Sequence, residues 1–132
     1  MSKKLKIILG ILIIGVLICL GIFLWYLNDV QNYRDDVAAI VIEDINPAAI
    51  PDGTYQGEYD VNYIYAKVEV TVQAGVITNI DLLEHKNGEG EPAEQIIDDI
   101  LRLQSLKVDA VSGATNSSLV IEKAIENALT IK

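Results

Sequence analysis

Twenty-one consecutive residues, Ile7 to Leu27, carry no charge. Wound as a helix at about 1.5 Å per residue they span roughly 31 Å, the thickness of a bilayer hydrocarbon core. The run predicts a transmembrane helix. Of the 132 residues, the 105 that follow Leu27 suffice for one small domain and not for two. A large multidomain enzyme has no room here.

Charge divides at the same place. Lys3, Lys4 and Lys6 precede the run, while all 19 acidic residues and the other seven basic ones follow it, leaving the rest of the chain at −12. The positive-inside rule then sets the N-terminus in the cytoplasm. The expectation is a single-pass protein of the cell membrane with an extracytoplasmic domain. The run exceeds the h-region of a signal peptide and no small-x-small site follows it, so retention as an anchor is expected. Trp25 and Tyr26 read as an interfacial aromatic belt. Cys19 follows Val16, Leu17 and Ile18, where a lipobox needs small residues, and reads as a small hydrophobe. So acidic a domain repels phosphate backbones, which excludes a nucleic-acid partner. With one Cys and one His the chain holds no intrachain disulfide, no haem-attachment motif and no multi-histidine metal site. The sequence assigns no catalytic residue and no metal ligand.

Beyond the anchor (1–27), Val30, Tyr33, Val37, Ile40 and Val41 recur at intervals of three and four, which predicts a helical stalk over Asn28 to Asp44 within a linker, 28–51. Asn46-Pro47 and Pro51-Asp52-Gly53 end it, so the module proper is placed at 52–132. Strict alternation of Ile64, Ala66, Val68, Val70 and Val72 with Tyr63, Tyr65, Lys67, Glu69 and Thr71 predicts a half-buried strand. Short strands at Gly53–Glu58 and, after the Ala74-Gly75 turn, Val76–Leu83 complete an antiparallel meander. A loop is expected over Glu84–Glu91. After Pro92 the period changes, giving one helix through Ile96, Ile97, Ile100, Leu101 and Leu103, and another from about Asn116 to Leu129 that buries Val120, Ile121, Ala124, Ile125 and Ala128. Strands first and helices after define an α+β fold: a small antiparallel sheet with two C-terminal helices behind a transmembrane helix and stalk.

Before the last helix, Val108-Asp109-Ala110-Val111-Ser112-Gly113-Ala114-Thr115-Asn116-Ser117-Ser118 gathers hydroxyls around a glycine. Free N–H groups and the positive helix end would face an anion there. Helix capping alone also accounts for hydroxyl residues at such a place.

The segment Asp109-Ala110-Val111-Ser112-Gly113-Ala114-Thr115 resembles the flavinylation motif of the FMN-binding domain family, found in FMN-carrying subunits of sodium-pumping NADH:quinone oxidoreductases, in Rnf complexes and in small surface flavoproteins. The resemblance extends from Asp52-Gly53-Thr54-Tyr55-Gln56-Gly57, through Glu84-His85-Lys86-Asn87-Gly88 and Gln104-Ser105, to Ala124-Ile125-Glu126-Asn127-Ala128-Leu129. It implies that Thr115 is the acceptor whose hydroxyl forms a phosphoester to FMN, and that Asp109 is recognised by a separate flavin transferase using FAD as donor. Ser112, Gly113 and Ala114 would shape the loop, Ser117 and Ser118 would bind phosphate oxygens, and the His85 loop would lie near the flavin. The implied function is electron transfer from a membrane dehydrogenase or quinol to an extracytoplasmic acceptor, with FMN doing the redox chemistry. Members that serve large respiratory complexes carry further segments, so a free-standing tethered flavoprotein is expected. The opposed reading is a flavin-free binding or sensor module on the same fold.

Three other features point elsewhere. Tyr63 and Tyr65 have the shape to flank a flavin ring, but half-exposed strand tyrosines are ordinarily packing residues. Gly88-Glu89-Gly90-Glu91-Pro92-Ala93 matches a dinucleotide-binding pattern, yet its glutamates repel a pyrophosphate and a meander lacks the parallel unit the pattern needs. Asn116-Ser117-Ser118 is a glycosylation sequon, meaningful only in a cell with that pathway.

Overall fold

The computed structural model describes residues 1–86, 88 and 90–130. Asn87 and Glu89, in the segment read as a loop, and Ile131 and Lys132, at the end of the module, lie outside them. The chain forms two compact units, Met1–Asp35 and Asp36–Lys132. The first belongs to helix α1, Lys3–Ala38, whose large apolar side chains from Leu5 to Leu27 are all exposed. By length and composition this helix can cross a membrane, and a signal sequence near an N-terminus meets the same description.

The second unit is α+β. A 3₁₀ turn at Pro47–Ala49 leads into strands β1 (Gly53–Asp60), β2 (Tyr65–Gln73) and β3 (Val76–Lys86); a second 3₁₀ turn, Glu91–Gln95, then leads to α2 (Ile96–Leu103) and finally α3 (Thr115–Thr130). The sheet has the order β1-β2-β3 and both pairings are antiparallel. Among the described residues there is thus no parallel strand pair, which the dinucleotide pattern would need. Ala74 and Gly75 close the tight β2–β3 turn with φ of 51° and 76°, the double positive that two-residue hairpins require. The Asp52 carboxylate accepts the Ala74 N–H at 2.8 Å and helps hold an alanine in that unfavoured region.

Both helices lie on one face of the sheet, α3 over β1 and β2 and α2 against β3. The alternation read in β2 holds: Ala66, Val68, Val70 and Val72 are buried beneath Ile96, Ile100, Val120, Ile121, Ala124 and Ile125. In β1 the inward residue opposite Val68 is Gly57. A Cβ there would strike the Ala124 carbonyl oxygen and the Ala128 nitrogen and lie 2.7 Å from Ala128 Cα. Helix backbone and strand backbone are in direct contact at this point. Small residues one turn apart, Ala124 and Ala128, make the approach possible.

Two elements depart from the periodicity. The helix expected to run to Asp44 stops at Ala38, because the chain after it is held by tertiary bonds: Lys123 Nζ donates to the Val41 carbonyl (3.0 Å), Glu43 N–H to Glu126 Oε2 (3.0 Å), and Leu106 N–H and Ser105 Oγ to Asp44 Oδ1 (3.0 and 2.9 Å). Residues 40–46 form an extended strap rather than a stalk. Strand β3 in turn runs on to Lys86, so Glu84, His85 and Lys86 belong to a strand and not to a loop. Register shifts at two points space its inward residues unevenly, as Ile77, Ile80, Leu82 and His85, each opposite an inward residue of β2. His85 thereby faces the helices.

Gln104 ends α2 in the left-handed region, φ 54°, where its N–H still bonds the Ile100 carbonyl. Its side-chain oxygen accepts the Ile77 N–H at 2.7 Å and its amide donates to the Ile77 carbonyl at 2.9 Å. The helix end is thus fastened to β3.

Candidate functional site

The hydroxyl-rich segment forms a turn on the N-terminus of α3. Ala114 N–H donates to the Val111 carbonyl at 2.9 Å, and Gly113 occupies the third position of that turn with φ 79°, the place where a positive φ selects glycine. Nothing lies within 4 Å of where a Gly113 side chain would begin, so the turn stands open to solvent. Ala114 packs inward, and Ser112, Gly113 and Thr115 are exposed on either side of it.

Ser118 holds this arrangement. Its hydroxyl accepts the Val111 N–H at 3.0 Å and donates to the Ala114 carbonyl at 2.9 Å, while its own N–H makes the first helical bond, also to Ala114, at 3.0 Å. With both groups engaged and the side chain fully buried, Ser118 staples the turn rather than facing a ligand. Thr115 begins the helix and Ser117 is its third residue, positions whose N–H groups have no carbonyl one turn earlier in the helix. The positive end of α3 therefore stands beside the Thr115 hydroxyl. Asp109 is exposed on the approach to the turn.

The phosphate of FMN fits these residues. Thr115 is exposed, Gly113 leaves open space beside it, and helix-end N–H groups offer donors to phosphate oxygens. Residues 64–130, half of the chain, match the FMN-binding domain family. The chain belongs to that family. Its cofactor is FMN. No curated protein matches the chain, and no solved structure does. Within this FMN-binding domain the matched region begins at the foot of β2 and includes the whole stapled turn, whereas β1 and the strap precede it.

The other candidate residues lie on the sheet of the FMN-binding domain and in the turn that precedes β2. His85, with 4% of its side chain exposed, is in β3 and pairs through Nδ1 with Glu94 Oε1 at 3.0 Å. It is thus tied to the 3₁₀ turn before α2. Tyr65 points to the outer face of the sheet, away from α3. Its hydroxyl donates to Glu58 Oε2 at 2.7 Å, and that bond, with burial and the charges of Glu58, Glu84 and Asp60, pushes its pKa up to about 12. Tyr63 is exposed in the preceding turn.

Sequence reasoning missed the strap that flanks the site. Burial raises the Asp44 carboxyl, but the Ser105 hydroxyl, the Leu106 and Ile45 N–H groups and the Lys107 charge together hold it below the usual carboxylate value. Asp44 thus fastens residues 105–106, ahead of the glycine turn, as a charged group. Its position before Ile45-Asn46-Pro47 was the available signal, since a short acidic side chain at a chain reversal commonly bonds nearby N–H groups.

Proposed function

We propose that this chain is a membrane-tethered flavoprotein that carries FMN as a phosphoester on Thr115, outside the cytoplasm, and passes electrons from a membrane donor to an extracytoplasmic acceptor. The observation that carries the reading is an exposed threonine hydroxyl at the first position of α3, beyond an open glycine turn, inside the region matching the FMN-binding domain family. In the transfer, Thr115 Oγ1 forms a bond to the FMN phosphorus of FAD as the pyrophosphate bond breaks, AMP leaves and the hydroxyl proton passes to a base of the transferase. Once attached, FMN supplies one- and two-electron chemistry. Thr115 and the helix N-terminus fix its phosphate, and Ser118 fixes the turn.

Covalent attachment suits an extracytoplasmic site, where a dissociated flavin is lost to dilution. Tethering is supported by the apolar run of α1, and orientation by the three lysines ahead of it. Asp109, exposed beside the turn, is free to meet the flavin transferase.

The test is full-length protein produced with the transferase, as wild type and as Thr115→Ala. Wild type should gain the mass of one esterified FMN and fluoresce on a denaturing gel, and the alanine variant should do neither while remaining folded. Thr115 is exposed and alanine is the better helix former, so the substitution should not mimic the result by unfolding. A fluorescent band as bright as wild type would overturn the assignment and point to the exposed Ser112.

A further inference from the structure

Ser118, Glu122 and Glu126 follow one another on α3 at intervals of four and so line one flank of the helix. All three are buried, with exposures of 0%, 3% and 6%. The outer two are met by main-chain donors of the segments that cover them, Val111 N–H on Ser118 Oγ and Glu43 N–H on Glu126 Oε2, each at 3.0 Å. The middle one is not. Glu122 Oε1 is buried and has no hydrogen-bond partner among the described residues.

Among the described residues, no cation compensates it. Lys123, next in sequence, is engaged by Glu126 Oε1 (2.7 Å) and the Val41 carbonyl (3.0 Å). The strap contributes Glu43 and Asp44, the segment before α3 the exposed Lys107 and Asp109, and the 3₁₀ turn Glu91 and Glu94, the latter held by His85. On β1 and β2, Glu58, Asp60, Lys67 and Glu69 occupy the outward positions of the sheet. Burial alone pushes the Glu122 carboxyl up from 4.5 to about 7.

We infer that Glu122 is a proton-operated latch: as a neutral acid it lets the flavin turn and the strap close together on α3, and on losing its proton it draws water into that flank and loosens both. It is a positioning residue, acting on Thr115 through the Ser118 staple. That consequence rests on Thr115 as the acceptor, whereas the latch itself does not. The sign follows from the site. The folded chain holds this proton more tightly than the unfolded chain, so the stabilisation is full below about 4.5, declines as pH rises from there to about 7, and is gone above.

The experiment uses full-length protein in detergent, without flavin, as wild type and E122Q. In denaturant titrations the folding equilibrium constant of wild type should fall about 70-fold relative to that of E122Q between about pH 5 and about pH 8. Amide exchange at Val111 and Ser118, compared between the two proteins at the same pH, should quicken in wild type alone. Parallel profiles for the two proteins would overturn the inference. If E122Q does not fold, the carboxyl-carbon resonance of Glu122 in wild type decides: a midpoint near 7 supports the latch, and one near the ordinary value of 4.5 refutes it. Because no arm contains flavin, failure here is distinct from failure of the Thr115 ester, which the gel assay reads.

Discussion

The contact between β1 and α3 at Gly57 makes a sharp prediction for Gly57→Ala. The new methyl would meet backbone atoms of Ala124 and Ala128, which cannot rotate away as a side-chain tip can. Either β1 or α3 must move, and β1 is held along its length by β2. Forcing an extra carbon into a packed interior costs about 1–3 kcal/mol, and contacts this short with backbone belong at the upper end. Against this stands a gain of about 0.4–1 kcal/mol from the stiffer unfolded chain. The net expectation is a loss of about 2 kcal/mol, which lowers the melting temperature of a domain this size by roughly 8–16 °C. Near-ultraviolet circular dichroism of the full-length protein in detergent reads the melt through the domain's tyrosines. Gly53→Ala in the same strand is the control. There the nearest atoms are those of the Tyr55 ring, at 3.5 Å and beyond, so the melt should scarcely change. Adding Ala128→Gly to Gly57→Ala should give no rescue, since the clash is with main chain. A Gly57→Ala melt within a degree or two of wild type, or a rescued double variant, would refute the close approach.

Two further outcomes follow from the bonds around the glycine turn and the strap. Ser118→Ala leaves the half-buried Val111 N–H without its acceptor, which should cost about 1 kcal/mol and raise amide exchange from Val111 to Ala114 above that of the β2 core. Asp44→Asn should destabilise the domain at neutral pH. The Asp44 carboxyl is held below its ordinary value of 3.8, so its contribution is present above that pH and disappears as acid protonates it. Stability curves of wild type and variant should therefore converge on acidification.

Legibility in the sequence followed the range of the forces at work. The period-two stripe of β2 and the three-and-four spacing of α2 and α3 were readable because apolar faces repeat locally. The hydroxyl-rich segment also stood out locally, and the structure folds it into a tight turn ahead of α3. Strand β3 was only half readable, because its register shifts displace the inward positions and turn His85 from an expected loop residue into a buried one. The strap was invisible. Its spacing suits a helix, but Asp44 finds its partners about sixty residues away, at Ser105 and Leu106. The buried acidic flank was hidden for a related reason, since Glu122 and Glu126 look like solvent-facing residues until something covers them. Ser118 was noticed as a hydroxyl beside an anion site, and its place four residues beyond Ala114 also suits the backward bond that serines make in helices.

The amide of Gln104 reproduces the donor and acceptor of a peptide group, and it meets the outward N–H and carbonyl of Ile77 as a neighbouring strand would. Unsatisfied edge groups of this kind are where a second molecule adds its own strand and aggregation begins. By placing a side chain on those two atoms, the turn after α2 closes β3 to such pairing at Ile77. The residue that ends a helix thereby also guards a sheet margin.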